Sequence, residues 1–197
     1  MLSTQTTIQQ VIKERRTIRN FTNEPIDIQE MVDLLDVAVY APNHKTREPW
    51  SFMAITSNAR TKMYDEIVNS YERQHIFEGY AQETVNKKKE KLYDMMHQCP
   101  IHLIVTMDQA DERKVWEEDF AATCAMMQNL QLLGWERNIG MVWKTNPYIQ
   151  DKEFYKAMGI DPTKKIVGVL HIGRPAKIPK AKDRTPVVDK LVIRNAY

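Results

Sequence analysis

Two polar segments contain the side chains best suited to bind a small polar ligand. The first, residues 15–19, holds Arg15, Arg16 and Arg19, and the second, residues 41–50, has a proline near each end. Guanidinium groups form bidentate, charge-assisted hydrogen bonds with phosphates and carboxylates. Each segment follows an amphipathic helical pattern and is too polar to belong to a core. The sequence therefore predicts that both segments converge on one polar ligand.

Length and composition indicate a single soluble domain over residues 1–197. Hydrophobic residues make up 43% of the chain and charged residues 27%, which is usual for a globular protein. The net charge of +2 is too small for a nucleic-acid-binding surface. No apolar run approaches the roughly 20 residues of a membrane span, and the N-terminus lacks a signal-peptide pattern. Because Cys99 and Cys124 are far apart, we expect reduced thiols in a cytoplasmic protein.

The sequence lacks the spacings of several common catalytic sites. Its six glycines form neither a GxGxxG nor a P-loop pattern, and there is no GxSxG elbow. The histidines include no HxH or HExxH pair and no cysteine joins them as a zinc set, so we expect no metal site. His102 and His171 fall in strand patterns, where hydrogen-bonded core or edge residues are expected. If the protein is an enzyme, its difficult chemistry belongs to a cofactor.

The spacing of hydrophobic residues predicts an α+β fold. Residues 8–12 have a helical pattern that ends at the arginines, and a second helix starts at Asp27, where Glu30 is placed for a capping box. Pro42 limits this second helix. Strands are predicted at 50–55, 101–105, 141–143 and 166–172, and shorter helices at 59–70 and 151–158, the last capped by Gly159.

The segment 71–98 is highly charged and weakly apolar. This composition favours a helical excursion with solvated faces. Two interpretations stay open for it. It could be a lid that selects the substrate, or a variable surface excursion without that role.

A longer helix is predicted over 116–138, and it is apolar around most of its circumference. Such a helix lies in the centre of a core or in an interface, which favours a homodimer whose interface contains it. The acids Glu117–Asp119 near its start suit the helix dipole, and Gly140 is placed to cap its end. The tail from Gly173 is rich in proline and lysine and needs a surface to pack on, such as a second subunit.

Four blocks, in matching order, resemble motifs of the FMN-dependent nitroreductase family. Glu14–Phe21 resembles the motif RRS-x-R-x-F, and Ala41–Phe52 resembles AP-(six residues)-PW-x-F. Trp143–Thr145 stands where the family has a flavin-contacting strand, and Lys165–Pro175 resembles the closing IVG-x-L-x-x-G-x-P segment. The likeness covers the chain except 71–98 and is greatest for the small nitroreductases with an APDHK-like loop.

The resemblance implies a nitroreductase-like α+β fold with a central mixed or antiparallel sheet flanked by helices. It implies an intertwined homodimer, with the long buried helix at the interface and one FMN in each interface groove. NADH or NADPH would be the electron donor and a small aromatic molecule, such as a nitroaromatic or quinone, the acceptor in a ping-pong cycle. Since the flavin carries the hydride in this family, no catalytic side chain is assigned.

The resemblance also implies roles for the basic side chains. Arg15 would contact the FMN phosphate, Arg16 and Thr17 would add a backbone or hydroxyl donor, and Arg174 would be a second phosphate cation. Arg19 would lie near the pyrimidine edge of the ring, where a cation stabilises the reduced anion. Apart from the resemblance, Arg15 and Arg16 would also suit a solvated helix end, and Arg174 a surface position after a strand.

The 41–50 loop would face the flavin held by the second subunit, through Asn43 and His44 and with Tyr40 as a further candidate. Larger members of the family have Asn where Thr46 stands and Gln where Glu48 stands. Because these two amides are missing, the expected ring contact moves to His44.

Trp143, Lys144 and Thr145 would run along the ring or ribityl chain, with backbone groups meeting flavin N5 or O4. A core aromatic is the alternative for Trp143.

Two other functions stay open. The first is a flavin enzyme of the same fold with a specific metabolite substrate, such as a dehydrogenase or dehalogenase. The second is a non-enzymatic FMN-binding protein.

Overall fold

An antiparallel sheet lies at the centre of the protein. The computed structural model describes residues 7–195. The strands are β1 (Trp50–Ile55), β2 (Ile101–Asp108), β3 (Gly140–Lys144) and β4 (Lys164–Gly173), and their order across the sheet is β1-β2-β4-β3. Each neighbouring pair is antiparallel. The two central strands, β2 and β4, are buried along most of their length, so both faces of the sheet are covered. The predicted α+β fold is confirmed.

Helices pack on both faces of this sheet. In the described residues they are α1 (Ile8–Glu14), α2 (Ile28–Ala38), α3 (Ala59–Arg73), α4 (Gln82–Gln98), α5 (Arg113–Glu136) and α6 (Lys152–Met158). One core cluster joins α2 and α5 to the sheet, and a second joins α3, α4 and α6 to it. None of these helices combines the length and apolarity needed to cross a bilayer.

Side-chain caps fix the ends of several helices. Asp27 accepts a hydrogen bond from the amide of Gln29 at the start of α2, as its residue type favours. The predicted capping box is wrong, because Asp27 accepts from the amide of Gln29 and not from that of Glu30, and the Glu30 side chain pairs with Arg174. Asp151 caps the start of α6 by accepting from the amide of Glu153, and the helix ends at Gly159 with φ 69°. The predicted glycine cap of α6 is therefore confirmed.

The long helix α5 has 24 residues and packs mainly against α2 and the sheet. Its length is roughly 36 Å at 1.5 Å per residue. The predicted cap at Gly140 is wrong: α5 ends at Glu136, and Asn138 takes the left-handed conformation with φ 57°. Gly140 is the first residue of β3 and lies against Ile18, so a Cβ at this position would overlap the Ile18 side chain.

The 71–98 segment contains the end of α3, a turn, and all of α4. Helices α3 and α4 pack against each other through an edge-to-face contact of Tyr64 with Tyr93, at 5.2 Å between ring centroids. An ion pair of Lys89 with Glu72 at 2.6 Å adds to it. Met96 of α4 is fully buried. One face of α4 thus belongs to the core, while its charged residues face solvent.

The tail beyond Ala176 lies on the surface with little regular structure, apart from a 3-10 turn at Val187–Lys190. Several of its large hydrophobic side chains are 55–77% exposed: Val187, Val188, Leu191, Val192 and Ile193. Apolar side chains of α1, Ile8 and Ile12, are exposed as well. Contiguous exposed apolar residues are typical of a surface that another chain covers.

Candidate functional site

The sheet fixes the position of the arginine segment 15–19. Arg15 ends α1, and two residues later Thr17 forms a parallel bridge with Met141 of β3. The amide of Ile18 donates to the carbonyl of Met141 at 3.1 Å, and the Ile18 side chain is fully buried. Because Ile18 is anchored in this way, the side chains on either side of it are held beside β3.

The arginine segment forms one wall of a cleft with a volume of about 770 Å³, which we call the basic cleft. The C-terminal tail forms the other wall. Polar side chains on the two walls are Lys13, Arg15, Arg16, Thr17 and Arg19, and Lys180, Lys182, Asp183 and Arg184. Positive side chains therefore face each other from both sides, and they outnumber the carboxylate of Asp183.

The charges of the basic cleft are not neutralised within the described part of the chain. None of the ion pairs formed there includes Arg15, Arg16, Arg19 or Arg184. Burial lowers the pKa of Arg15, and repulsion from Arg16 and Arg184 lowers it further. Arg15 and Arg16 are partly buried, whereas Arg19 and Arg184 are exposed. Guanidinium groups that repel one another favour an anion between them, and a phosphate dianion has matching charge and acceptor geometry.

Arg16 has a second, local role. Its Nη1 donates to the carbonyls of Lys13, at 2.7 Å, and Arg15, at 2.9 Å. These bonds cap the carbonyl end of α1, as expected for a cation at a helix C-terminus. The sequence-based alternative of a helix-end cation therefore describes part of what Arg16 does.

A second cavity, of about 550 Å³, lies beside β3, and we call it the strand groove. Its floor includes Val142, Lys144 and His171, and α4 supplies one side through residues 91–98. Arg19 lines both the strand groove and the basic cleft. Burial lowers the pKa of Lys144, and the nearby charge of Arg19 lowers it further. The two cavities thus meet at Arg19 and share a positive potential.

Trp143 and Thr145 do not line the strand groove. The Trp143 side chain packs against the main core and lies over Gly168, with Nε1 3.4 Å from the carbonyl of Val167. This is the core-aromatic arrangement. Side chains alternate along a strand, so Val142 and Lys144 point to the groove while Trp143 points away. Thr145 is exposed just past the end of β3, and any flavin contact from Trp143 would come from its backbone.

The loop at residues 41–48 is shaped by its own hydrogen bonds. The side chain of Asn43 donates to the carbonyl of Ala41 at 3.2 Å and accepts from the amide of Glu48 at 3.0 Å. Lys45, Thr46 and Glu48 have φ values of 52°, 53° and 45°. Left-handed conformations are unfavourable for residues with a Cβ, so the loop holds strained backbone, which is typical of functional segments.

Tyr40, Asn43 and His44 line neither the basic cleft nor the strand groove of their own protomer. Tyr40 is 87% exposed, and His44 is exposed with Nδ1 3.9 Å from Glu118. Their contact with a flavin of a second subunit stays a prediction.

Arg174 lies outside the basic cleft. Its guanidinium pairs with Glu30 at 2.9 Å and Glu24 at 3.5 Å, and it donates to the carbonyl of Arg137 at 2.7 Å. Two carboxylates already neutralise this side chain, so a phosphate contact from Arg174 would require these pairs to break.

Sequence reasoning missed Lys182 and Arg184, which line the basic cleft. The tail was recognised only as proline- and lysine-rich. The available signal was the alternation of basic residues at 180, 182 and 184, but such a pattern also suits a solvated tail. The return of the tail to the arginine segment is a long-range contact that local sequence does not encode.

A separate cluster of Cys99, His102 and His171 is buried beneath the strand groove. Sequence spacing does not reveal it, because the pairing of β2 with β4 places His102 opposite His171. The ring centroids are 4.3 Å apart and nearly perpendicular. Burial lowers the pKa of His102 to about 4 and lowers that of His171 well below its usual value. Both rings are therefore neutral at physiological pH, each with one nitrogen lone pair.

Sequence comparison now identifies the family. A model of the nitroreductase family matches residues 12–174. The chain belongs to the nitroreductase family. YfhC of Bacillus subtilis, whose name assigns it provisionally to the NAD(P)H nitroreductases, is 32% identical over 183 residues, covering 93% of this chain and 92% of YfhC. The predicted resemblance is confirmed, and the chain is a flavoprotein-type oxidoreductase of this family.

Solved structures agree with this assignment. A nitroreductase-like family protein from Bacillus cereus superimposes with a TM-score of 0.88 and 37% identity over 100% of both chains. A structure from Desulfovibrio desulfuricans, described as a nitroreductase in complex with FMN, has a TM-score of 0.71 and 20% identity. It covers 98% of this chain and 100% of that one. At that identity the second likeness concerns the fold alone.

Proposed function

We propose that this protein is an FMN-dependent oxidoreductase that uses NADH or NADPH to reduce nitroaromatic, quinone or similar acceptors. The observation that carries the proposal is the basic cleft, joined at Arg19 to the strand groove. The first cavity suits a phosphate and the second is large enough for a flat ring system. A phosphorylated flavin needs both in this arrangement.

The phosphate end of FMN would be held by both walls of the basic cleft. Arg15 and Arg184 would form charge-assisted hydrogen bonds, and Lys182 would add a point charge. Thr17 offers a hydroxyl donor. The anion would also relieve the mutual repulsion that lowers the pKa of Arg15, so cofactor binding and cleft stability would be coupled.

The ring end would lie in the strand groove, near Arg19 and Lys144. When bound, FMN would supply the hydride chemistry, taking hydride from the nicotinamide and giving it to the acceptor. Positive charges at its pyrimidine edge stabilise a negative reduced ring and raise its reduction potential. The side chains of this chain would bind, orient and tune the cofactor, and none is needed as a nucleophile.

A homodimer would complete the site. The exposed apolar residues of the tail and of α1 need a partner surface, and a second copy of the chain offers one of the same kind. Tyr40, Asn43 and His44 would then reach the flavin of the partner subunit. The reduced, unpaired Cys99 and Cys124 and the need for nicotinamide suit a cytoplasmic location.

The choice of acceptor would depend on α4, which forms one side of the strand groove. Lys91, Asp94 and Gln98 line the groove from this helix. A lid role for the 71–98 segment would follow from this position, because an acceptor stacked on the ring would contact these side chains.

Anaerobic reduction tests the proposal. The FMN-loaded protein is mixed with NADH or NADPH while flavin absorbance is followed, and a nitroaromatic, a quinone or a halogenated tyrosine is then added. Prompt bleaching by a nicotinamide and reoxidation by the first two acceptors is the expected result. Failure of both nicotinamides to bleach the flavin would refute the proposal. Reoxidation by the halogenated tyrosine alone would favour the dehalogenase alternative.

A further inference from the structure

Three metal-ligating side chains meet at the paired ends of β2 and β4, next to the strand groove. They are Cys99, His102 and His171, with relative exposures of 0%, 0% and 2%. One possible ligand atom from each lies within 4.8 Å of the others. His171 also lines the strand groove, whereas Cys99 and His102 line neither the strand groove nor the basic cleft.

The histidines leave buried nitrogens without partners. His102 Nδ1 and both ring nitrogens of His171 have no hydrogen-bond partner in the described part of the chain. Burying a polar atom without a partner is costly, and such atoms in a native protein call for an explanation such as a bound ion or water. Because both rings are buried side by side, this free-energy cost applies to His102 and again to His171.

The orientation of His102 matches that of a metal ligand. Its Nε2 lies 2.9 Å from the carbonyl of Met96, and a carbonyl only accepts, so Nε2 carries the hydrogen and Nδ1 carries the lone pair. Metal-bound histidines nearly always donate their second ring N–H to a carbonyl or carboxylate, which fixes the tautomer. In this arrangement the lone pair of Nδ1 is available to a cation.

Burial raises the pKa of the Cys99 thiol to about 12, so without a metal the sulfur keeps its proton. The amide of Ile172 donates to Sγ at 3.1 Å, which also stabilises a thiolate. In the thiol form, Sγ donates towards the carbonyls of Ile101, at 3.2 Å, and Ile172, at 3.4 Å. Binding a divalent cation replaces the S–H bond by a metal–sulfur bond and releases one proton to solvent.

We propose that Cys99, His102 and His171 form a binding site for a divalent zinc ion. Zinc takes a thiolate at about 2.3 Å and imidazoles at about 2.0–2.1 Å in a tetrahedron, with water able to complete it. Donor atoms of such a tetrahedron are roughly 3.3–3.6 Å apart, so the three side chains need to approach by little more than an ångström. Soft sulfur and imidazole ligands favour zinc over magnesium or calcium, which prefer oxygen.

Cobalt and zinc titrations of the FMN-loaded protein test this site, after removal of bound metal with a chelator. We expect one ion per chain by elemental analysis, with cobalt giving tetrahedral ligand-field bands and a thiolate-to-cobalt charge-transfer band. Zinc should release about one proton per ion in weakly buffered solution. The substitutions Cys99→Ser and His171→Gln should each weaken binding at least tenfold or so, since loss of a supporting contact alone costs about 10–100-fold.

Matched variants separate this site from adventitious binding. Cys124→Ser and His97→Gln remove the second cysteine and a histidine outside the cluster, and both should bind cobalt as the parent does. Absence of a charge-transfer band in the parent protein would overturn the proposal, as would equal binding by Cys99→Ser. If that variant does not fold, the zinc-dependent rise in the urea midpoint of the parent, absent in His171→Gln, decides. Flavin content of the parent and of Cys99→Ser tests the proposed function separately, because Cys99, unlike His171, does not line the strand groove.

Discussion

Arginines occur in two kinds of surroundings in this protein, and the difference separates structure from function. In the basic cleft, Arg15 and Arg184 face other cations and form no ion pair among residues 7–195. Elsewhere, Arg47 binds the buried carboxylate of Asp119, and Arg73 binds Asp151 at 2.7 Å. A paired arginine stabilises the fold, whereas burial and repulsion from Arg16 and the exposed Arg184 disfavour the charge of the partly buried Arg15, and a bound anion would offset both.

Basic residue type alone is therefore a weak guide to a ligand site in this protein. Arg174 belongs to a family motif, yet two glutamates neutralise it. Arg184 belongs to an irregular tail, yet it lowers the pKa of Arg15 across the cleft. What marks the site is the lack of a carboxylate partner together with the partial burial of Arg15, because a bound anion offsets the cost of burying an unpaired charge.

The sharpest test of the paired class is Asp119→Asn. Asp119 is 1% exposed and accepts three hydrogen bonds from Arg47, at 2.9–3.2 Å. We expect urea denaturation to reveal a loss of about 1.5–3 kcal/mol, the usual contribution of hydrogen bonds to a charged group. Its neighbour Glu118 is partly exposed, at 31%, and lies 3.9 Å from His44. Glu118→Gln should cost less than about 0.5 kcal/mol. An unchanged urea midpoint in Asp119→Asn would contradict the structural role of the pair.

The matching test of the unpaired class is Arg15→Ala. FMN affinity should fall about 10–100-fold, which is about 1.4–2.8 kcal/mol, because a charge-assisted contact to phosphate is lost. Folding stability of the flavin-free protein should stay constant or rise, since repulsion with Arg16 and Arg184 is relieved. Fluorescence titration with FMN measures the first effect and urea denaturation the second. Arg113→Ala, at a side chain 91% exposed, is the control. Equal FMN affinity of the two variants would contradict the phosphate contact of Arg15.

The Arg73–Asp151 pair predicts a dependence of stability on pH. Burial alone raises the pKa of Asp151, but hydrogen bonds from Ser70, Arg73 and the Glu153 amide outweigh it, and the pKa is lowered. A lowered carboxyl pKa stabilises the fold above the unfolded value of about 3.9 and stops doing so as the pH falls through the folded value. Asp151→Asn keeps the helix cap and should cost about 0.5–1 kcal/mol at neutral pH.

The pH dependence of the Asp151→Asn effect tests this explanation. The difference in unfolding free energy between the parent and Asp151→Asn should be full above roughly pH 5 and shrink in more acidic solution. A difference that grows on acidification would mean that the pair does not hold the carboxylate in its charged form.

The smallest effect concerns the strained loop. Glu48 has φ 45°, and this conformation costs roughly 1–2 kcal/mol for a residue with a Cβ. Glycine removes this strain, but part of the gain is lost because glycine has a larger conformational entropy in the unfolded state. Glu48→Gly should therefore raise stability by about 0.5 kcal/mol in urea denaturation, while Glu48→Ala, which keeps a Cβ, should not. A gain from alanine equal to that from glycine would show that strain is not the cause.

Much of the fold could be predicted because its signals are local. The strands at 50–55 and 101–105, the start of α2 at Asp27 and the glycine that ends α6 follow from periodicity, capping and turn chemistry within a few residues. Family motifs added the order of the blocks. The errors were also local in origin: Gly140 looked like a helix cap because a glycine follows a helical pattern, whereas close packing with Ile18 explains it.

The candidate site was predictable only in part. Arg15, Thr17 and Arg19 were recognisable from their motif, and the structure gathers them in one cleft. Asp119 looked like one of three acids suited to a helix dipole, but its contact with Arg47 spans 72 positions. The core packing of Trp143 and the neutralisation of Arg174 likewise depend on residues distant in the chain.

Short-range preferences and motif order were enough to predict most of the helices and strands, the family and the presence of a basic segment. The position of that segment beside β3 depends on the long-range bridge of Thr17 with Met141. Only the tertiary structure decided which charges are neutralised. It also brought the tail's Lys182 and Arg184 to the cleft and set His102 opposite His171. A side chain's electrostatic environment depends on its neighbours in space, and these are set by the strand register and by the path of the tail back to the arginine segment.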